Sequence, residues 1–173
     1  MQAAYTKPGD RILYYAASEE FHYPEDQEKI YDVALIGLHY ENRTRLVNRL
    51  RARGLSVFYD IGPVYDEYRK IYNQSKVAIS WSSLDDLIAR VFEALAMQLP
   101  LVTNRVSDLS THFVDGEHLR VFDTIEQAEE LVMWCLNNYD EALHMAHNGY
   151  RKVKAKYLYK HRIEQVLQDC GLV

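Results

Sequence analysis

The stretch 77–104, "VAISWSSLDDLIARVFEALAMQLPLVTN", decides the fold class. Two short apolar runs, "VAISWS" (77–82) and "PLVT" (100–103), flank a segment of helical spacing in which Val91, Ala94 and Leu95 share a face. Runs that are apolar throughout suit strands buried on both sides, and such strands are parallel and joined by crossover helices. The same alternation extends both ways along the chain. Further strand-like runs are "YDVALIG" (31–37), "LSVFYDI" (55–61) and "LRVF" (119–122). Each is followed by a helix candidate. Asn42 is expected to cap the first, which buries Leu46, Val47 and Leu50; a second spans 65–74 and a third 90–98. Ser107 is expected to cap a short fourth, and Thr124 with Gln127 forms a capping-box pattern for a fifth reaching about 137. The fold class is therefore α/β: a Rossmann-like parallel sheet with helices on both faces. Two helical segments, 140–156 and 159–169, close the chain.

A chain of 173 residues, 48% of them hydrophobic, supports one core, so the expected organisation is a single Rossmann-like domain over 30–173 preceded by an arm or linker over 1–29. The arm is polar and tyrosine-rich, with one short strand expected at 12–15. A net charge of −5 argues against nucleic acid as a partner, and the five arginines between Arg43 and Arg53 read as a solvated helix face. Cys135 and Cys170 lack C-x-x-C spacing and read as reduced thiols. No apolar run approaches the roughly 20 residues of a membrane span, and "MQAAYTKPGDR" lacks the apolar core of a signal peptide. A soluble, cytoplasmic protein is expected. Tyr157, Tyr159, Ile163 and Val166 leave an apolar side on the terminal segment, which raises the prospect of a homo-oligomer.

In an open parallel sheet the ligand crevice lies beyond the carboxyl ends of the strands, among the strand-to-helix loops. Those loops contain neither G-x-G-x-x-G nor G-x-x-x-x-G-K, so neither a dinucleotide fingerprint nor a phosphate loop is present. A helix N-terminus can hold a phosphate without glycines, and Arg43 beside Asn42 would add a bidentate donor there. In the third helix Asp86, Arg90, Glu93 and Met97 fall at i, i+4, i+7 and i+11, on one face. The two acceptor oxygens of Glu93 suit a pair of vicinal hydroxyls, as in a ribose diol. The competing reading pairs Glu93 with Arg90 as a helix-surface ion pair. Tyr65, Tyr68 and Tyr72, at i, i+3 and i+7, read as a core stripe. His144 and His147 sit at i, i+3 without an apparent third ligand, and no metal site is expected.

The combination "DDLIARVFEALA" with "PLVTN" resembles the C-terminal, donor-binding half of GT-B glycosyltransferases, group 1, including the branch of spore-maturation CgeB-like proteins. The similarity runs over about 31–167. The resemblance implies one half of a GT-B fold that binds a nucleotide-diphosphate sugar without a metal or other cofactor. It implies that Glu93, matching the second acid of the family's E-x7-E pattern, binds the ribose. The first, catalytic acid falls at Asp85 or its neighbour Asp86, where this sequence has aspartate instead of glutamate and lacks the family's following glycines. Asn42, Arg43 and Arg90 would face the diphosphate, and Val64 and Tyr65 the base. The acceptor half would be a missing N-terminal domain or a partner subunit, leaving this chain inactive or weakly active alone. The alternative is a non-catalytic Rossmann-like interaction or nucleotide-binding module, since fold alone does not decide function.

Overall fold

The computed structural model describes residues 9–172. Five parallel strands form one sheet: β1 (Tyr31–Ile36), β2 (Val57–Asp60), β3 (Ser75–Ser80), β4 (Leu101–Asn104) and β5 (Arg120–Phe122), in the order β2-β1-β3-β4-β5. Their connections hold α1 (Glu41–Ala52), α2 (Tyr65–Asn73), α3 (Ala89–Ala96) and the single turn α4 (Leu109–His112). α5 (Ile125–Asn137), α6 (Tyr139–Lys156) and α7 (Tyr159–Asp169) follow the last strand. This is the α/β, Rossmann-like arrangement expected.

Period-two alternation along the strands builds two cores. On β1, Val33 and Leu35 join Val77, Ile79, Val102 and Phe122 beneath α1, α5 and the start of α6. Ala34 and Ile36 point the other way, with Ala78 and Leu101, toward α2, α3 and the C-terminal half of α6. Two cores, one on each side, are why these strands carry no polar face. Glu129 of α5 fastens the first layer, taking Nε of Arg49 on α1 and Nε of Arg53 at its C-cap, each at 2.6 Å. These bonds hold its carboxyl below the ordinary carboxylate range. Two of the five arginines thus anchor α1 to α5, where a freely solvated face was expected.

Several local expectations are corrected. Tyr40, in extended conformation, occupies the N-cap of α1, and Asn42 lies inside the first turn. Asp108 precedes α4 in place of Ser107. The predicted strand at 12–15 is unpaired; the arm's bridge is instead Ala17 to Leu158. The first eight residues of the arm lie outside the described residues. The capping box at Thr124 is present as read, with Gln127 returning its side chain to the cap. Among the described residues no helix is long and apolar enough to cross a membrane. On α7, Tyr159, Ile163 and Val166 are exposed, whereas Tyr157 packs against Phe92 and Phe113.

Where α6 crosses α3, Gly149 lets the two backbones approach. A Cβ there would meet Leu95 Cδ2 at 2.7 Å and the His118 carbonyl at 2.8 Å. Gly149→Ala should therefore destabilise the chain by about 1–3 kcal/mol in urea denaturation, the cost of overpacking outweighing alanine's better helix propensity. An unchanged midpoint would mean that α6 is free to shift away from α3.

Candidate functional site

Strand order fixes where a ligand can enter. From β1 the chain moves outward to β2 and then crosses to β3 on the other side of β1, so the loops leaving β1 and β3 diverge at the carboxyl edge. Between them opens a cleft of about 670 Å³, lined by Gly37, Arg43, Ser82, Asp86, Arg90 and Glu93 among others.

Two guanidinium groups meet at its floor. Arg43 projects from the first turn of α1 and is 6% exposed. Its Nη1 donates to the Leu38 carbonyl at 3.0 Å and its Nη2 to the Trp81 carbonyl, fixing it across the ends of β1 and β3. Arg90, from the first turn of α3, comes in from the other side. A Cβ on Gly37 would lie 3.1 Å from Arg43 Nη1 and 3.4 Å from Arg90 Nη2, so a side chain there would crowd both guanidinium groups, and the backbone at φ 153 favours glycine as well. Neither arginine forms an ion pair with a carboxylate among the described residues, and the Nε of each is buried without a partner. Burial and then the like charge of Arg90 push the Arg43 pKa down. Burial also works against the Arg90 charge, but the oxygens of Tyr72, Tyr68 and Glu93 outweigh it and hold its pKa above the ordinary value. Two cations held side by side without a carboxylate ion pair are chemically suited to meet an anion.

Glu93 stands one turn beyond Arg90. Its Oε2 accepts from the Tyr68 hydroxyl at 2.6 Å, and its Oε1 faces His22 Nε2 at 3.8 Å. The helix-surface ion pair with Arg90 does not form. Glu93 also lines an adjoining niche of about 380 Å³ with Phe21, His22, Pro63, Val64, Tyr65 and Tyr68. Tyr65 is exposed and its ring lies 5.4 Å from that of Phe21, so the tyrosine stripe divides: Tyr68 and Tyr72 are core, Tyr65 is niche wall. Tyr65, at φ 49, and Asp85, at φ 52, both hold left-handed backbone on these loops, conformations that cost energy for residues with a Cβ.

The two aspartates part company. Asp86 precedes α3 on a loop, accepts from the Ser82 hydroxyl and lines the main cleft. Asp85 turns away, accepts the Ser107 N–H at 2.9 Å and lines a separate hollow with Arg105 and Asp123. Asn42 borders a shallow space beside Arg43, Trp81 and Ser83, next to the cleft rather than within it. Met97 is buried, so the expected polar face of α3 is limited to Arg90 and Glu93. Among the described residues no group of three His, Cys, Asp or Glu could hold a metal ion, and His144 and His147 belong to no such group. Sequence reasoning missed Gly37, Phe21, His22 and the Tyr68–Glu93 bond. Only Gly37, at the end of the first strand, carried a local signal.

A model of the glycosyl transferase-like family matches residues 19–168. The chain belongs to that family. Among solved structures, sucrose-phosphate synthase from Thermosynechococcus elongatus superposes with a TM-score of 0.69 at 14% identity, over 91% of this chain and 51% of that one. The C-terminal domain of a glycosyl transferase group 1 family protein from Francisella tularensis gives a TM-score of 0.63 at 13% identity, over 82% of this chain and 98% of that domain. HepE from Anabaena, solved in complex with UDP, gives 0.61 at 11% identity, over 82% and 40%. At these identities the likeness is one of fold: a Rossmann-like half of the GT-B kind. The chain spans about half the length of the synthase it resembles. No curated protein matches it.

Glu93 and Tyr68 test how this cleft is braced. Tyr68→Phe removes the donor to a largely buried carboxylate and should cost about 1–3 kcal/mol of stability in chemical denaturation. Paired with Glu93→Gln in a double-mutant cycle, the two losses should be clearly non-additive. Additive losses would mean that the bond contributes nothing of its own.

Proposed function

We propose that this chain is the donor-binding half of a glycosyltransferase and binds a nucleotide-diphosphate sugar in the cleft between the β1 and β3 loops. The observation that carries this reading is the pair of guanidinium groups converging on Gly37 without a carboxylate partner, one helical turn from Glu93. The diphosphate is assigned to Arg43 and Arg90, with Asn42 at its edge. One or both ribose hydroxyls are assigned to the free oxygen of Glu93, and the base to the niche of Val64 and Tyr65. Asp86, on the cleft side, takes the sugar-facing role, and Asp85 keeps the role of tying its loop to Ser107. UDP in HepE supports a nucleoside diphosphate as the ligand class.

Substitution at the anomeric carbon releases a nucleoside diphosphate, and the negative charge growing on it must be stabilised. Here the two arginines and the first turn of α1 supply the opposing positive charge, so the reading calls for no metal and no cofactor beyond the sugar nucleotide. An acceptor site belongs to a further domain or a partner subunit, and the exposed side of α7 is where such a partner or a second copy would dock. The two free thiols suit a reducing, cytoplasmic compartment.

Calorimetry with UDP, GDP and ADP tests the assignment. One of them should bind, and Glu93→Ala should weaken it about a hundredfold, by loss of charge-assisted bonds to the ribose. Absence of binding by all three at millimolar concentration would leave a non-catalytic interaction module in its place. Transfer should fail for the chain alone, because bond formation needs the acceptor held within about 3–3.5 Å of the donor. Multiple-turnover glycosylation of an added acceptor by the purified chain would refute the division into halves.

A further inference from the structure

The arm that precedes β1 is stitched to the domain on both sides of one turn. Upstream of it, Ala17 lies between Tyr157 and Tyr159, donating to one and accepting from the other, each at 3.0 Å. Glu19 accepts from Lys154 at 2.6 Å and Lys160 at 2.8 Å. Downstream, the Glu25 N–H donates to Asn73 Oδ1 at 2.8 Å, and its carboxylate takes Arg69 Nε at 2.7 Å. The turn between these anchors carries Phe21 and His22 to the niche beside Glu93.

The hydrogen bonds of His22 define its proton. Its Nδ1 accepts the Ser18 N–H at 3.0 Å, so in the neutral ring the proton resides on Nε2. Burial is the main reason the ring stays neutral: it lowers the His22 pKa, with Arg69 acting in the same direction and Glu93 opposing. The protonated Nε2 therefore lies 3.8 Å from Glu93 Oε1. That separation exceeds an N–H···O bond, yet one oxygen atom can sit about 2.8 Å from both ends. The atom must accept from nitrogen and donate to carboxylate. A hydroxyl does both; an ammonium cannot accept and a carbonyl cannot donate. Glu93 Oε2 is already engaged by Tyr68, so Oε1 is the oxygen left for a ligand.

We propose that His22 is a ligand-binding, specificity-determining residue: with Glu93 it brackets a single ribose hydroxyl of the bound nucleotide and discriminates against the deoxy analogue that lacks it. This rests on the nucleotide reading above and adds to it a wall contributed by the arm. A deoxy ligand leaves both the imidazole N–H and the carboxylate oxygen without that partner in a partly desolvated niche.

The test is calorimetric titration of the full chain with whichever nucleoside diphosphate binds best and with its 2′-deoxy and 3′-deoxy analogues. The wild type should bind one analogue at least tenfold more weakly. His22→Ala should weaken the ribonucleotide about tenfold and leave that analogue's affinity unchanged. His22→Phe, which keeps a ring against Tyr68 but has no N–H, should behave as the alanine variant does and serves as the test if alanine compromises folding. Ribonucleotide affinity equal to wild type in both variants overturns the proposal while the nucleotide reading stands. Equal weakening of ribo- and deoxynucleotides also overturns it, assigning His22 to the architecture of the arm. If the wild type binds no nucleotide, the nucleotide reading itself fails, and this proposal with it.

Discussion

The crossing of the chain from β2 to β3 past β1 is the constraint on which everything else rests. It parts two neighbouring loops at the one edge of the sheet where backbone N–H groups of helix starts are unpaired. Arg43 and Arg90 are the first-turn residues of the two helices that face one another across that gap. Neither needs a long excursion to reach Gly37: each helix start delivers its guanidinium there. The cleft is thus a property of topology first and of side chains second.

Holding two cations together has consequences for their surroundings. The two terminal nitrogens of Arg43 donate to the carbonyls of Leu38 and Trp81 rather than to a carboxylate, which leaves its charge available. Negative character nearby is supplied by Glu93 and the oxygens of Tyr68 and Tyr72, near enough to steady Arg90 without an ion pair that would neutralise it. An anion arriving in the cleft meets donors already in position and pays little reorganisation. Asn104 braces the β3 loop in the same way, accepting from the Ser82 N–H and donating to the Ser82 carbonyl.

Much of this was legible in the residues. Continuous apolar runs implied a two-sided parallel sheet, and all five strands formed within a few residues of the expected bounds, because burial on both faces leaves little else for such runs to do. Helix starts read less well. Asn42 and Ser107 are good cap formers, yet the loops place Tyr40 and Asp108 there, since tertiary packing and not cap chemistry sets where each helix begins. Helical spacing joined Asp86 to Arg90 and Glu93; the helix starts too late for that, and Asp86 reaches the cleft from a loop held by Ser82. The partners of Glu93 were beyond reach altogether. Tyr68 and His22 lie on different segments, and local periodicity is silent about contacts between distant parts of a chain.

The bridge between Ala17 and Leu158 joins segments near opposite ends of the described chain. Pairings so remote in sequence demand a large loss of chain entropy before they return any stabilisation. The turn carrying Phe21 and His22 hangs from that bridge. During synthesis the Ala17 end of the arm, though made first, has no partner until the junction of α6 and α7 has left the ribosome. The upstream anchor of the turn that carries Phe21 and His22 is therefore complete only once the junction of α6 and α7 is in place.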